Sequence, residues 1–120
     1  MGKKKILVVD DQPGIRLLLT DILISEGFQV STANTGKEAL DKIYSRSFDL
    51  LIIDYNLPII NGIQVLQQME TDNIRTPAIL MSGLAEDIIT EAEEYTMVKE
   101  VLAKPFNIQD ICISVKSLLN

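Results

Sequence analysis

Histidine is absent from this 120-residue chain, and its absence excludes several kinds of site. Without an imidazole the chain has no Ser/His or Cys/His catalytic couple, no histidine metal ligand and no phosphohistidine of its own. A single cysteine, Cys112, excludes an internal disulfide and a zinc cluster, and we interpret it as a small buried hydrophobe. Any chemistry must therefore come from carboxylates, lysines, hydroxyl groups or a hard metal ion.

Long hydrophobic runs, aromatic side chains and net positive charge are also scarce. No apolar segment approaches the roughly 18 residues that span a membrane, and the apolar run after Lys5 is too short for a signal peptide. We therefore expect a cytoplasmic protein with no membrane partner. Aromatic residues make up 5% of the chain and hydrophobic residues 47%, which predicts an aliphatic core. The net charge of −6 argues against direct nucleic-acid binding, because no basic stripe is present to displace counterions.

Strand and helix patterns alternate along the chain. The predicted strands are 5–9, 28–33, 49–53, 77–81 and 101–103, and the predicted helices are 13–26, 36–47, 63–70, 86–95 and 108–119. Five βα units with short connections predict one α/β domain over residues 1–120. We expect a single five-stranded parallel sheet, doubly wound as (βα)5, with right-handed crossovers. Ligands of such sheets bind beyond the carboxyl ends of the strands.

Polar side chains follow four of the five predicted strands. They are Asp10 and Asp11, Asp54, Ser82 with Gly83, and Lys104 with Pro105. Any one of them could be an ordinary polar loop residue, but their convergence on one edge favours a site. Three neighbouring carboxylates need a cation, unless the pKa of one of them rises. Mg²⁺ is the expected ion, because it is a hard cation that prefers oxygen ligands. The alternative for Asp10 and Asp11 is an exposed pair at the start of a helix, where Asp11 would cap that helix; this role is compatible with metal binding.

With Mg²⁺ on one side, Asp54 is the predicted reacting group. A carboxylate is a competent nucleophile towards an activated phosphoryl group and forms an acyl phosphate. Lys104 would neutralise phosphoryl oxygens and Ser82 would donate a hydrogen bond to one of them. Gly83 leaves space for the incoming group, and Pro105 fixes the chain beside Lys104.

Four segments, VVDDQ, LLIIDYNLPIING, ILMSG and LAKPF, resemble the receiver domain of bacterial two-component response regulators. The resemblance covers essentially the whole chain and implies a flavodoxin-like receiver fold. It implies that Asp54 is the phosphoacceptor, and that Mg²⁺ is held by Asp10, Asp11, Asp54 and the main-chain carbonyl of Asn56.

The same resemblance implies that Ser82 and Lys104 bind the phosphoryl group. It also implies that Pro105 follows a cis peptide bond, although most X-Pro bonds are trans. The phosphoryl donor would be a histidine kinase or a histidine phosphotransfer protein, and phosphorylation would switch contacts with a downstream protein that the sequence does not identify. The chain would be no enzyme in the usual sense, since it catalyses only its own phosphorylation and autodephosphorylation.

The segment DDQPGIRLLL is similar to the single-domain sporulation phosphorelay receivers, whose first helix docks on a helical bundle that carries the donor histidine. Ile15 and Leu18 are the candidate partner contacts, although core packing explains most of the apolar stripe on this helix. The resemblance favours a single-domain regulator. The alternative is a receiver cut from a longer regulator with a DNA-binding or enzymatic output domain.

Two positions depart from the family pattern or modify it. Val101 stands where many members carry an aromatic switch residue, so the route by which activation reaches the surface is not predicted. Leu84 is expected to restrict attacking water and lengthen the life of the acyl phosphate.

Two other functional classes compete with the receiver. A small Mg²⁺-dependent phosphatase of the haloacid dehalogenase type would need a D-x-D pattern after the first strand, where Gln12 breaks it. A flavin-binding protein would need a first loop that binds phosphate, and two carboxylates there would repel it.

Overall fold

The computed structural model describes residues 2–83 and 85–120. Leu84 and its expected effect on water lie outside the described residues. The elements in chain order are β1 (Lys5–Val9), α1 (Pro13–Ser25), β2 (Gln29–Ala33), α2 (Gly36–Ser45), β3 (Leu50–Asp54), α3 (Gly62–Thr71), β4 (Ala78–Ser82), α4 (Ala85–Ala92), β5 (Val98–Ala103) and α5 (Ile108–Leu119).

The five strands form one parallel sheet in the order β2-β1-β3-β4-β5. This arrangement confirms the predicted α/β class and the doubly wound topology. The strand order reverses between β1 and β3, and in open α/β sheets such a reversal marks the crevice where ligands bind.

Two hydrophobic cores lie on opposite faces of the sheet. Helices α2, α3 and α4 cover one face and α1 and α5 cover the other. Successive residues of β3 alternate between the cores, so Leu51 and Ile53 pack on the first face and Leu50 and Ile52 on the second. All five residues of β3 and all five of β4 are buried, which explains why the first four residues of each strand are apolar.

The largest difference from the predicted elements concerns α4 and β5. Helix α4 ends at Ala92 instead of 95, because the Tyr95 amide turns back to the Ala92 carbonyl at 3.0 Å. Strand β5 begins at Val98 instead of 101, because Val98 pairs with Ala78 of β4. The edge position of β5 leaves its residues only partly buried, so its first half has no strong apolar signal.

Within the described part of the chain, no helix has both the length and the apolar character needed to cross a membrane.

Candidate functional site

The carboxyl ends of β1, β3, β4 and β5 bring the predicted polar side chains to one edge of the sheet. Asp10 directly follows β1, Asp54 is the last residue of β3, Ser82 is the last residue of β4, and Lys104 directly follows β5. Asp10, Asp54 and Ser82 are buried there, at 0%, 4% and 3% exposure. Buried polar groups need partners, so this edge is a candidate for binding or chemistry.

Three carboxylates meet at the centre of this edge. One oxygen from each of Asp10, Asp11 and Asp54 lies within 4.8 Å of the others. Asp11 is exposed while the other two are buried, so the cluster opens to solvent on one side. This donor set fits a hard divalent cation that binds oxygen ligands and keeps some of its waters.

Asp10 is held through both its main chain and its side chain. Its amide donates to the Ala33 carbonyl at 3.1 Å, and its Oδ1 accepts from the Gln12 amide at 2.9 Å. The alternative role of Asp11 as a helix cap is not found in the structure. Helix α1 has Gln12 at its N-cap position without a side-chain capping bond, and the carboxylate that accepts the Gln12 amide belongs to Asp10.

Lys104 bridges two of the carboxylates. Its Nζ donates to Asp10 Oδ2 at 2.7 Å and to Asp54 Oδ2 at 3.0 Å. Burial alone would lower the pKa of Lys104, but the hydrogen bonds to Asp10 and Asp54 outweigh burial and raise that pKa. The ammonium group therefore stays charged at neutral pH and offsets part of the acidic charge.

Asp54 has the opposite balance of effects. Burial raises the pKa of its carboxyl group, and the hydrogen bonds from Lys104 and from the Asn56 amide offset only part of that rise. The Asn56 amide lies 3.2 Å from Asp54 Oδ1. Ionised Asp54 is thus penalised in the folded chain, and a cation beside it would favour the carboxylate form.

The β3–α3 connection, residues 55–61, is packed tightly against the end of β3. The Gly62 amide donates to the Tyr55 carbonyl at 2.9 Å, and a Cβ atom at Gly62 would lie 2.6 Å from the Asp54 carbonyl oxygen. Asn61 caps α3 through a capping box with Gln64. Glycine and cap together bring the start of α3 directly against the backbone of Asp54.

Ser82, Gly83 and Pro105 complete the surroundings of the cluster. The Ser82 carbonyl accepts from the Lys104 amide at 2.9 Å, which joins the ends of β4 and β5. A Cβ atom at Gly83 would meet none of the described protein atoms within 4 Å, so packing against the described residues does not require glycine there. The Lys104-Pro105 peptide bond is cis, which confirms the prediction from the family resemblance.

A cavity of about 470 Å³ opens beside Lys104. It is lined by Gln12, Ile15, Leu18, Lys104, Pro105 and Phe106. Ile15 packs partly against the core under α1, while Leu18 is 39% exposed. The two candidate partner contacts therefore share one apolar depression next to the acidic cluster.

Two features of this region were not predicted. Arg16 Nη1 donates to the main-chain carbonyl of Asp10 at 2.7 Å, and Ile59 has a positive φ of 68° at 98% exposure. Only weak signals for them are present in the amino-acid sequence: a cation one turn into the helix that follows an acidic pair, and a β-branched residue directly after Pro58. Neither pattern specifies a contact or a backbone angle.

Comparison with known proteins identifies relatives for nearly the whole chain. The sequence profile of the response regulator receiver domain matches residues 6–116. Sporulation initiation phosphotransferase F of Bacillus subtilis is 38% identical over 120 residues, which cover 99% of this chain and 96% of that protein.

A second curated relative is longer than this chain. The alkaline phosphatase synthesis transcriptional regulatory protein PhoP of Bacillus subtilis is 33% identical over 97% of this chain, but the match spans only 48% of that protein.

Solved structures show the same fold. The response regulator TrrA of Thermotoga maritima, in complex with Mg²⁺-BeF, has a TM-score of 0.86 and 35% identity, and the match covers 97% of this chain and 99% of that one. The TM-score shows that the two chains share this fold.

Proposed function

The chain belongs to the response regulator receiver domain family, whose members are phospho-accepting signalling modules, and we propose that Asp54 is its acceptor residue. The observation that carries this proposal is the convergence of three carboxylates within 4.8 Å, two of them bridged by Lys104. The strand order reverses between β1 and β3. Asp10 and Asp11 follow β1, whereas Asp54 is the last residue of β3.

In the proposed reaction an oxygen of Asp54 attacks the phosphorus of a phosphohistidine on a partner protein. An O–P bond forms, the N–P bond breaks, and the imidazole nitrogen keeps the electron pair of the broken bond. Lys104 is close enough to Asp54 to neutralise charge on the transferred group, and buried Ser82 at the end of the next strand is proposed to donate a hydrogen bond to it. Gly83 and Pro105 are proposed to shape the approach.

We propose Mg²⁺ as the cation, held by Asp10, Asp11, Asp54 and the main-chain carbonyl of Asn56. When bound, Mg²⁺ would supply positive charge that neutralises the oxygens of the transferring phosphoryl group. The related TrrA structure contains Mg²⁺-BeF, which supports this choice of ion.

Receiver domains of two-component systems take their phosphoryl group from histidine kinases or phosphotransfer proteins. We propose that such a donor, in the cytoplasm, docks over Ile15 and Leu18 beside the cavity at Lys104. The resulting acyl phosphate would change contacts with a downstream protein until autodephosphorylation ends the signal. Replacing Ile15 with Ala should then slow transfer from a protein donor and leave Mg²⁺ affinity unchanged. Equal effects on transfer and on Mg²⁺ affinity would contradict this docking role.

The central test uses acetyl phosphate and intact-protein mass spectrometry, with and without Mg²⁺. We expect the native chain to gain one phosphoryl group only when Mg²⁺ is present, and Asp54→Asn to gain none. An Asp49→Asn variant is the matched control, because Asp49 lies at the opposite end of β3, where it accepts from the Lys5 amide at 2.7 Å. An adduct that persists in Asp54→Asn would overturn the assignment.

A further inference from the structure

Arg16 connects the first turn of α1 to the end of β1. Its side chain is partly buried, and Nη1 donates to the Asp10 carbonyl at 2.7 Å. The Arg16 main-chain amide also belongs to the first helical turn, since it donates to the Gln12 carbonyl at 3.2 Å. Because α1 has no side-chain capping bond at Gln12, the guanidinium provides a tie between strand and helix that the cap residue does not.

The carbonyl that Arg16 holds lies between the first two acids of the cluster. The Asp10 carbonyl and the Asp11 amide belong to one planar peptide group. Fixing the direction of the carbonyl therefore also fixes the direction of the bond from the Asp11 nitrogen to its Cα atom. Asp10 is already held at its carboxylate by Lys104 and the Gln12 amide. Asp11 is exposed, and its amide nitrogen belongs to the peptide plane that Arg16 holds.

We propose that Arg16 is a positioning residue that orients the Asp10–Asp11 peptide group so that both carboxylates can ligate Mg²⁺ together. The inference rests on the metal site of the proposed function. Arg16 acts through the main chain of a ligand residue and takes no part in phosphoryl transfer itself.

The charge of Arg16 and its hydrogen bond predict opposite effects on Mg²⁺ binding. A guanidinium beside an acidic cluster repels a divalent cation, so charge alone predicts that Mg²⁺ binds more tightly when Arg16 is removed. Loss of the hydrogen bond frees the peptide plane and predicts weaker binding. The sign of the change in affinity therefore distinguishes positioning from simple electrostatics.

A second difference concerns the choice between metals. Mg²⁺ requires nearly ideal octahedral geometry, whereas Ca²⁺ accepts irregular and more numerous oxygen ligands. A change of charge alters the affinity for both ions in the same direction. Looser placement of Asp11 should weaken Mg²⁺ binding more than Ca²⁺ binding, so the dissociation constant for Mg²⁺ divided by that for Ca²⁺ should rise.

The test is isothermal titration calorimetry of the full chain with Mg²⁺ and with Ca²⁺. Arg16→Met keeps most of the apolar stem and removes both the charge and the hydrogen bond, while Arg16→Lys keeps the charge without the planar donor group. Arg75→Met is the matched control, because Arg75 is exposed before β4 at the opposite edge of the sheet. Urea unfolding of each metal-free variant checks that it is folded.

We expect Arg16→Met to weaken Mg²⁺ binding by about 10-fold, the size typical of changes to groups that orient metal ligands. Arg16→Lys should also weaken it, and Arg75→Met should have little effect. Unchanged or tighter Mg²⁺ binding in folded Arg16→Met or Arg16→Lys would refute the inference and leave the proposed function intact. Absence of Mg²⁺ binding by the native chain would instead refute the metal site and the inference together.

Discussion

Ile59 adopts a backbone conformation that its side chain disfavours. Its φ is 68°, and the Ile60 amide donates back to the Pro58 carbonyl at 2.7 Å across it. A bond of this span encloses a three-residue turn, and its form with positive φ is rare and strained. For a β-branched residue the cost of such an angle is on the order of 1–3 kcal/mol. At 98% exposure the side chain gains almost no packing in return.

We therefore expect Ile59→Gly to raise the free energy of unfolding by about 1 kcal/mol, since glycine adopts positive φ without strain and loses no buried contact. Ile59→Val is the matched control, because valine keeps the β-branch and should change stability by less than about 0.5 kcal/mol. Urea denaturation measures both. A loss of stability in Ile59→Gly would show that the exposed side chain contributes contacts that offset the strain.

The raised pKa of Asp54 makes the stability of the metal-free chain depend on pH. The pKa of the Asp54 carboxyl group is higher in the folded chain than its ordinary value of 3.8. Such a group stabilises the folded state fully when the pH is below 3.8. This contribution is lost as the pH rises through the folded pKa. Asp54→Asn removes this titrating group. We therefore expect the free energy of unfolding of Asp54→Asn, minus that of the native chain, to increase as the pH is raised from below 3.8 towards neutrality. Denaturant unfolding over this range, without Mg²⁺, checks the prediction. A difference that is independent of pH would contradict it.

Helices α1 and α3 both carry a glycine in their first turn, but the two glycines have different surroundings. A Cβ atom at Gly62 would lie 2.6 Å from the Asp54 carbonyl oxygen and 3.0 Å from Tyr55 Cα, whereas one at Gly14 would meet no atom of the described residues within 4 Å. Both groups near Gly62 belong to the backbone, so α3 could accommodate an alanine only by moving away from the end of β3.

We expect Gly62→Ala to lower the free energy of unfolding by about 1–3 kcal/mol, as overpacking does, and to slow phosphorylation by acetyl phosphate because Asp54 shifts. Gly14→Ala should instead raise stability by roughly 0.5–1 kcal/mol, since alanine is the better helix former. Thermal or urea unfolding compares the two variants. Equal effects would mean that glycine content alone, rather than the contact with β3, decides the result.

The sequence predicted the sheet and most of the site because each of the apolar strands β1, β3 and β4 leads into a polar residue, either at its last position or directly after it. This pattern located Asp10, Asp54 and Ser82 without any knowledge of tertiary contacts. It could not locate Arg16 or Ile59. The contact of the Arg16 side chain with a carbonyl and the positive φ of Ile59 both depend on the folded loops around them. Such loop conformations have no periodic pattern in the sequence.

On the scale of the whole molecule, three of the 17 acidic residues meet at one edge of the sheet. The chain has a net charge of −6, and three of its carboxylates meet at the ends of β1 and β3. Lys104 contacts only Asp10 and Asp54 among these three in the described hydrogen bonds, so the charge of the cluster is incompletely balanced. The repulsion that remains lowers the stability of the metal-free fold.

Mg²⁺ should relieve this repulsion and stabilise the whole chain. Binding to the folded state alone adds about 1.4 kcal/mol when free Mg²⁺ is 10-fold above its dissociation constant, so the melting temperature should rise with Mg²⁺ concentration. Asp11→Asn removes the exposed acid that does not contact Lys104. We expect this variant to be more stable than the native chain without metal and to lose most of the gain from Mg²⁺. Calorimetric melting in NaCl of matched ionic strength is the control, because monovalent salt screens repulsion without occupying a site. If NaCl raised the melting temperature as much as Mg²⁺ does, the gain would come from screening, and the acidic edge would not be a specific metal site.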